Sequence, residues 1–283
     1  MRTESNLEGV YVRYASPVAL CLCLLLAGCG GRSYYLGRNY LDRGLYDKAV
    51  AEFSKAVESN PRSAKAWYGR GTAYSDQGEY ERAIADFSKA IKYDSDNAAF
   101  YNDRALAYAL TGKHGPAISD FTRAIELDPA QAEVFHSRGA AYHYRGQYDL
   151  AVSDFSEAIR LNPANGVFYN DRGVAYAMKG KHDRAISDFT KAVEINPRDA
   201  LAFSLRGTTY RDMEQYDLAI SDYTRAIRLD GRFAEAYAGR ATAYYNKGQY
   251  DDAWANVRRA QSLGLQVPPE FLRALRKASP RDR

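Results

Sequence analysis

The sequence predicts an all-α fold: seven helix–turn–helix units in a row, closed by one short helix. Three observations predict it. First, Ala132–Asn165 (AEVFHSRGAAYHYRGQYDLAVSDFSEAIRLNPAN) moved forward by 34 residues lands on Gly166–Asp199, and moved back by 34 it lands on Ala98–Gln131. A fixed period of that length marks a chain of like supersecondary units. Second, each unit carries two apolar stripes at helical spacing. In Ala132–Asn165 these are Phe135, Gly139 and Tyr142, then Ala151, Phe155 and Ala158. Third, breakers punctuate the stripes. Gly146 can take the left-handed conformation that closes a helix, and Pro163 cannot continue the helix before it. Asp149, between them, suits the positive end of the second helix.

The elements follow in order. Residues 1–28 stand outside the period and read as a signal peptide. Val18–Ala27 is an apolar run of ten residues, against the roughly 20 needed to cross a bilayer, and it matches the core of a secretory signal. It ends in Leu26-Ala27-Gly28-Cys29, which resembles the bacterial lipobox. That resemblance implies cleavage before Cys29 and lipidation of its thiol. It also implies N-acylation, and several acyl chains anchor firmly where one binds marginally. The leading segment departs from the usual pattern, because Glu4 and Glu8 offset Arg2 and Arg13. Gly30 follows the cysteine where an aspartate would imply inner-membrane retention, so the resemblance points to an outer membrane facing the periplasm.

The array is expected to span residues 29–267. Copy one, Gly30–Ser63, has Gly37, Tyr40, Gly44, Ala49, Phe53, Ala56 and Pro61. Copy two, Ala64–Asn97, has Ser95 in place of the proline. Copy three, Ala98–Gln131, has Ala105 for the helix glycine and Pro116 in the first turn of its second helix, where proline is tolerated. Copies four (Ala132–Asn165) and five (Gly166–Asp199) are the most regular. Copy six, Ala200–Phe233, uses Glu214 in the turn, Tyr223 for Phe and Gly231 for Pro. Copy seven, Ala234–Val267, has Val257 for Phe. Residues 268–279 form a capping helix, because Phe271, Leu272 and Leu275 can cover the face that copy seven leaves exposed, as repeat arrays require. Residues 280–283 are a basic tail.

An aromatic, Gly, Tyr, Ala, Phe, Ala and Pro in that order over 34 residues resembles the tetratricopeptide repeat. The resemblance implies a right-handed superhelical solenoid that binds a protein partner, a peptide or helix, in a groove lined by the first helices. Carried onto this chain, the groove is expected to hold Asn102, Leu106, Ala109, Leu110, His136, Ala140, His143, Tyr144, Asn170, Val174, Ala177 and Met178. This is an apolar centre with a more polar rim at Asp42, Asp76, Arg211 and Asp212, the pattern of interaction surfaces. Positions five and nine of every copy lack lysine, which speaks against the family's carboxylate-clamp variant.

A second pattern concerns charge. Position seven is Arg70, Arg104, Arg138, Arg172, Arg206 and Arg240 in copies two to seven, and Leu36 in copy one. Position 23 is Glu52, Asp86, Asp120, Asp154, Asp188 and Asp222 in copies one to six, and Asn256 in copy seven. If each acid reaches the arginine 18 residues later, every member has a partner. The expectation is an inter-repeat ladder Glu52–Arg70, Asp86–Arg104, Asp120–Arg138, Asp154–Arg172, Asp188–Arg206 and Asp222–Arg240.

The remaining chemistry is sparse. The net charge of +4, from 39 basic and 35 acidic residues, points to no polyanion and no nucleic acid. All three cysteines precede residue 30, so no disulfide or thiolate metal site is expected in the array. His136 and His143 lie seven residues apart, ~10 Å along a helix, too far to share an ion. Nothing resembles a catalytic triad, a phosphate loop or HExxH. The expected function is therefore a non-catalytic, lipid-anchored scaffold or adaptor without cofactor, metal or small-molecule substrate, or a related assembly factor of the pilotin or outer-membrane type; an enzyme or an RNA-binding helical repeat is the remote alternative.

Overall fold

The computed structural model of the chain describes residues 29–279. The expected signal peptide, residues 1–28, and the basic tail, residues 280–283, lie outside the described residues. These residues form 15 α-helices and no strand. The helices divide after Pro129 into two compact units. The first holds α1 (Cys29–Asp42), α2 (Tyr46–Ser59), α3 (Ala64–Asp76), α4 (Tyr80–Tyr93), α5 (Ala98–Leu110) and α6 (His114–Leu127). The second holds α7 (Ala132–Tyr144), α8 (Tyr148–Leu161), α9 (Gly166–Met178), α10 (His182–Ile195), α11 (Ala200–Asp212), α12 (Tyr216–Leu229), α13 (Ala234–Asn246), α14 (Tyr250–Ser262) and α15 (Pro269–Ala278). Each copy is one helical hairpin, and within each unit every hairpin packs against the next.

The turns form as the glycines dictate. Gly146 sits at φ 71°, and beyond it the Gln147 amide donates to the Tyr142 carbonyl at 2.9 Å. That is the bond pattern that closes a helix through a left-handed residue. Copy six makes the same closure with Glu214 at φ 60°, a conformation that strains an ordinary L-residue. First helices α3, α5, α9 and α11 are capped by the side chains of Ser63, Asn97, Asn165 and Asp199. Second helices have no side-chain cap, but most carry an acid in the first turn, such as Asp149 in α8 and Asp183 in α10.

The core repeats with the sequence. Ala151, Phe155 and Ala158 are at most 1% exposed, and so are their counterparts Ala185, Phe189 and Ala192. The helix glycine exists for the phenylalanine: a methyl group on Gly139 would meet the Phe155 ring at 2.8 Å, and one on Gly173 would meet Phe189 at 2.7 Å. The hairpin thus closes on a flat aromatic ring pressed against bare backbone, at the density expected of a protein interior. At the end of the second unit, Phe271, Leu272 and Leu275 of α15 pack on Ala241, Ala253, Trp254, Val257 and Ala260. Leu275 is fully buried, so the cap covers an apolar face that would otherwise meet water.

Candidate functional site

The charge ladder exists, but with different rungs from those expected. Arg70 holds Asp86, Arg104 holds Asp120, Arg138 holds Asp154, Arg172 holds Asp188 and Arg206 holds Asp222. Each pair is 16 residues apart and lies within one hairpin. Each is bidentate, with Nε and Nη2 donating to the two carboxylate oxygens at 2.7–3.0 Å. The expected 18-residue pairing between copies is therefore wrong. The reason is the hairpin itself. The arginine stands eight residues before the turn glycine and the acid eight residues after it, so folding back brings them level. The two exceptions have physical causes. In copy seven the Asn256 amide oxygen replaces the carboxylate and accepts from Arg240 Nε at 2.9 Å. In copy one, with Leu36 at the arginine position, Glu52 bonds Lys55 on the surface instead.

The link between copies runs through a hydroxyl. Nη1 of Arg70, Arg104, Arg172, Arg206 and Arg240 donates back to Ser54, Ser88, Ser156, Thr190 and Thr224 of the preceding copy, at 2.8–3.1 Å. Ser88, Ser156 and Thr224 in turn donate to the carbonyl four residues earlier. At least one aromatic ring faces each guanidinium, and two face Arg172, 5.8 Å from the Tyr169 centroid and 5.9 Å from that of Tyr176. The hydrogen bond to Asp188 raises the basicity of Arg172 above its ordinary value. Arg240, buried to a similar degree without a carboxylate, is pulled down by burial. The hydroxyl column was open to sequence reading, since position 25 is Ser or Thr in copies one to six and Arg258 in copy seven.

The expected groove residues divide into two kinds. In the second unit Tyr144 is 76% and Met178 57% exposed, at the same position of consecutive first helices. His143, Ala140, Val174 and Ala177 beside them are half-buried. In the first unit Leu106 is 40% and Leu110 63% exposed, with Asn102 and Ala109 half-buried. His136 and Asn170 are packing residues, contrary to expectation. The His136 ring lies between Phe155 and Phe168, and its Nε2 is 2.6 Å from Asp171. Asn170 is 4% exposed and donates to Asp199 at 2.9 Å. Both sit at position five, where the next copy covers the side chain. Tyr68 does the same in the first unit, donating to Asp103 at 2.6 Å. Burial holds the Tyr68 hydroxyl and the Asp103 carboxyl each above its ordinary pKa.

Among the described residues no cluster of His, Cys, Asp and Glu could hold a metal ion, and no helix is long and apolar enough to cross a membrane. The Cys29 side chain lies outside what the structure describes.

Comparison with known proteins agrees with the geometry. Family models described as "Tetratricopeptide repeat" match residues 64–97, 98–131 and 167–199, and one described as "TPR repeat" matches 37–78, 139–180 and 207–248. No curated protein sequence matches the chain. Among solved structures, the chain is similar to YrrB, described as "a TPR protein with an unusual peptide-binding site", at 27% identity over 65% of this chain and 95% of that one, with a TM-score of 0.57. The MamA protein is similar at 26% identity over 61% of this chain and 94% of that one, TM-score 0.58. A tetratricopeptide repeat protein from Parabacteroides merdae shares the fold at 20% identity over 87% and 98%, TM-score 0.65. Repeated hairpins, glycine-on-phenylalanine packing and six matched segments together establish that the chain belongs to the tetratricopeptide repeat family.

Proposed function

We propose that the protein is a non-catalytic adaptor, anchored in the bacterial envelope by lipid on Cys29, that holds a partner peptide or helix on the exposed faces of its first helices. The tetratricopeptide fold is a protein-interaction scaffold. One observation carries the finer reading. Position 13 is apolar in the three central copies, Leu110, Tyr144 and Met178, all well exposed, and polar in the others, Asp42, Asp76, Asp212 and Asn246. Exposed apolar side chains of this size suit the apolar residues of a bound segment, and methionine adapts to irregular partners. The anchor rests on Leu26-Ala27-Gly28-Cys29 behind its apolar run. Helix α1 begins at Cys29, so no linker would separate anchor from array.

The test is affinity capture from envelope fractions, comparing the wild-type chain with Leu110→Asp plus Tyr144→Ala. The variant is expected to lose the partners the wild type retains; an unchanged set of captured proteins refutes the proposed surface. Cys29→Ser is expected to abolish metabolic lipid labelling, and labelling that persists refutes the anchor.

A further inference from the structure

Copies five and six carry the same open depression on the side of their second helices, and the two differ sharply in charge. In copy five the depression is about 420 Å³ and is lined by Tyr169, Ser187, Thr190, Lys191 and Glu194 over the Arg172–Asp188 pair. Every charge there is matched. Lys191 bonds Glu194 at 3.1 Å. The next arginine, Arg206, reaches in to Thr190 at 3.0 Å and is itself held by Asp222.

In copy six the depression is about 480 Å³, lined by Phe203, Ser221, Thr224, Arg225 and Arg228 over the Arg206–Asp222 pair. Two substitutions have removed its negative charge. Arg228 stands where copy five has Glu194, so Arg225 and Arg228 are two like charges one turn apart. Neither makes a salt bridge among the described residues. Asn256 stands where a carboxylate would hold the incoming Arg240, whose Nη1 bonds Thr224 at 2.8 Å. Arg240 Nε bonds Asn256, and among the described residues Nη2 has no acceptor. The one carboxylate lining the depression, Asp222, has both oxygens committed to Arg206. Asp252, a turn before Asn256, is the acid that still acts on Arg240.

We propose that this depression of copy six is a phosphate-binding site. Arg225 and Arg228, neither paired with a carboxylate, line it together with the Ser221 hydroxyl and the Phe203 ring, and Arg240 reaches in as far as Thr224. Guanidinium forks match phosphate oxygens in geometry, and charge-assisted bonds to them are the strong ones. A bound phosphate supplies the negative charge that Glu194 and Asp222 supply one copy earlier. The site is independent of the apolar strip on the first helices.

The experiment is calorimetric titration of the full-length chain with inorganic phosphate at fixed ionic strength. Saturable binding is expected. Arg228→Glu with Asn256→Asp rebuilds the arrangement of copy five and is expected to weaken binding by at least about tenfold, since it changes the local charge by three. Asn256→Asp alone, a smaller change should the double variant fold poorly, is expected to weaken it about threefold. Arg145→Glu, an exposed charge change in copy four, leaves it unaltered. No saturable binding by the wild type, an unaffected double variant, or an equal loss in the Arg145→Glu control would each overturn the proposal. Sedimentation with phosphatidylcholine vesicles, with and without phosphatidylglycerol, identifies the source. Binding to the anionic vesicles that falls in the double variant assigns the site to a lipid headgroup; phosphate binding without vesicle binding assigns it to a soluble phosphate.

Discussion

Removing Asp188 tests the ladder at its best-defined rung. Its side chain is 8% exposed and that of Arg172 is 20% exposed, and the two are joined by bonds of 2.9 and 2.7 Å. Deleting one member of a fully buried pair costs ~3–5 kcal/mol, mostly because the remaining charge is stranded. Arg172 keeps a fifth of its surface and its bond to Ser156 at 3.0 Å, so it can be partly rehydrated. We therefore expect Asp188→Ala to cost about 2–3 kcal/mol. Asp188→Asn recreates the Arg240–Asn256 arrangement, keeps the bond to Nε, and should cost about half as much. Repeat arrays unfold as coupled neighbours, so hydrogen exchange of the α9 and α10 amides is a better measure than one global midpoint. The decisive measurement is a pair of double-mutant cycles. Asp188 should couple to Arg172 by about 2 kcal/mol and to Arg206 by less than ~0.5 kcal/mol. A larger coupling to Arg206 would refute the intra-hairpin pairing and restore the 18-residue one.

Two further outcomes follow from the backbone and from a buried acid. Glu214→Gly relieves a left-handed φ of 60° on an ordinary residue and should stabilise the second unit by ~0.5–1 kcal/mol; a thermal midpoint that stays put or falls contradicts the strain. Asp103 titrates above the ordinary carboxylate range because burial outweighs its hydrogen bonds from Tyr68 and Asn102. The folded chain then holds that proton more tightly than the unfolded chain. This contribution to stability is complete below about pH 4 and is lost as pH rises through the raised value. Asp103→Asn should remove that loss and flatten the profile of urea midpoint against pH; an unchanged profile would sink this assignment.

The hairpins, their turns and the cap were all legible, because a period of 34 residues repeats one local problem until its solution stands out. Gly139 and Phe155 stand on the two apolar stripes that the sequence marks, though their mutual contact is visible only in the structure, and Phe271, Leu272 and Leu275 alone place α15. The ladder was half legible. Its columns are plain in the sequence, but the rungs were inferred from the two ends of the array, which assumed that an asparagine could not accept from arginine. Symmetry about the turn glycine was the better guide, because the backbone fixes which residues stand level. The apolar strip was legible at position 13, where the residue type changes along the chain. Position five misled, because His136 and Asn170 look like polar groove residues until the fold is seen to bond them, half-burying His136 and burying Asn170. The copy-six depression could not be read from one copy; it emerges from comparing matched charges with unmatched ones.

The hydroxyl link gives the array a direction of growth. Within each unit the arginine of a copy reaches back to the copy before it, so such a copy offers one hydroxyl forward and one guanidinium backward. Within each unit these joints are chemically alike, as Arg172 on Ser156 and Arg206 on Thr190 illustrate. A 34-residue duplication would therefore enter or leave the gene with its joints already made. The ends cannot be exchanged so freely. Leu36 leaves copy one nothing to offer a predecessor, and Arg258 leaves copy seven no hydroxyl for a successor.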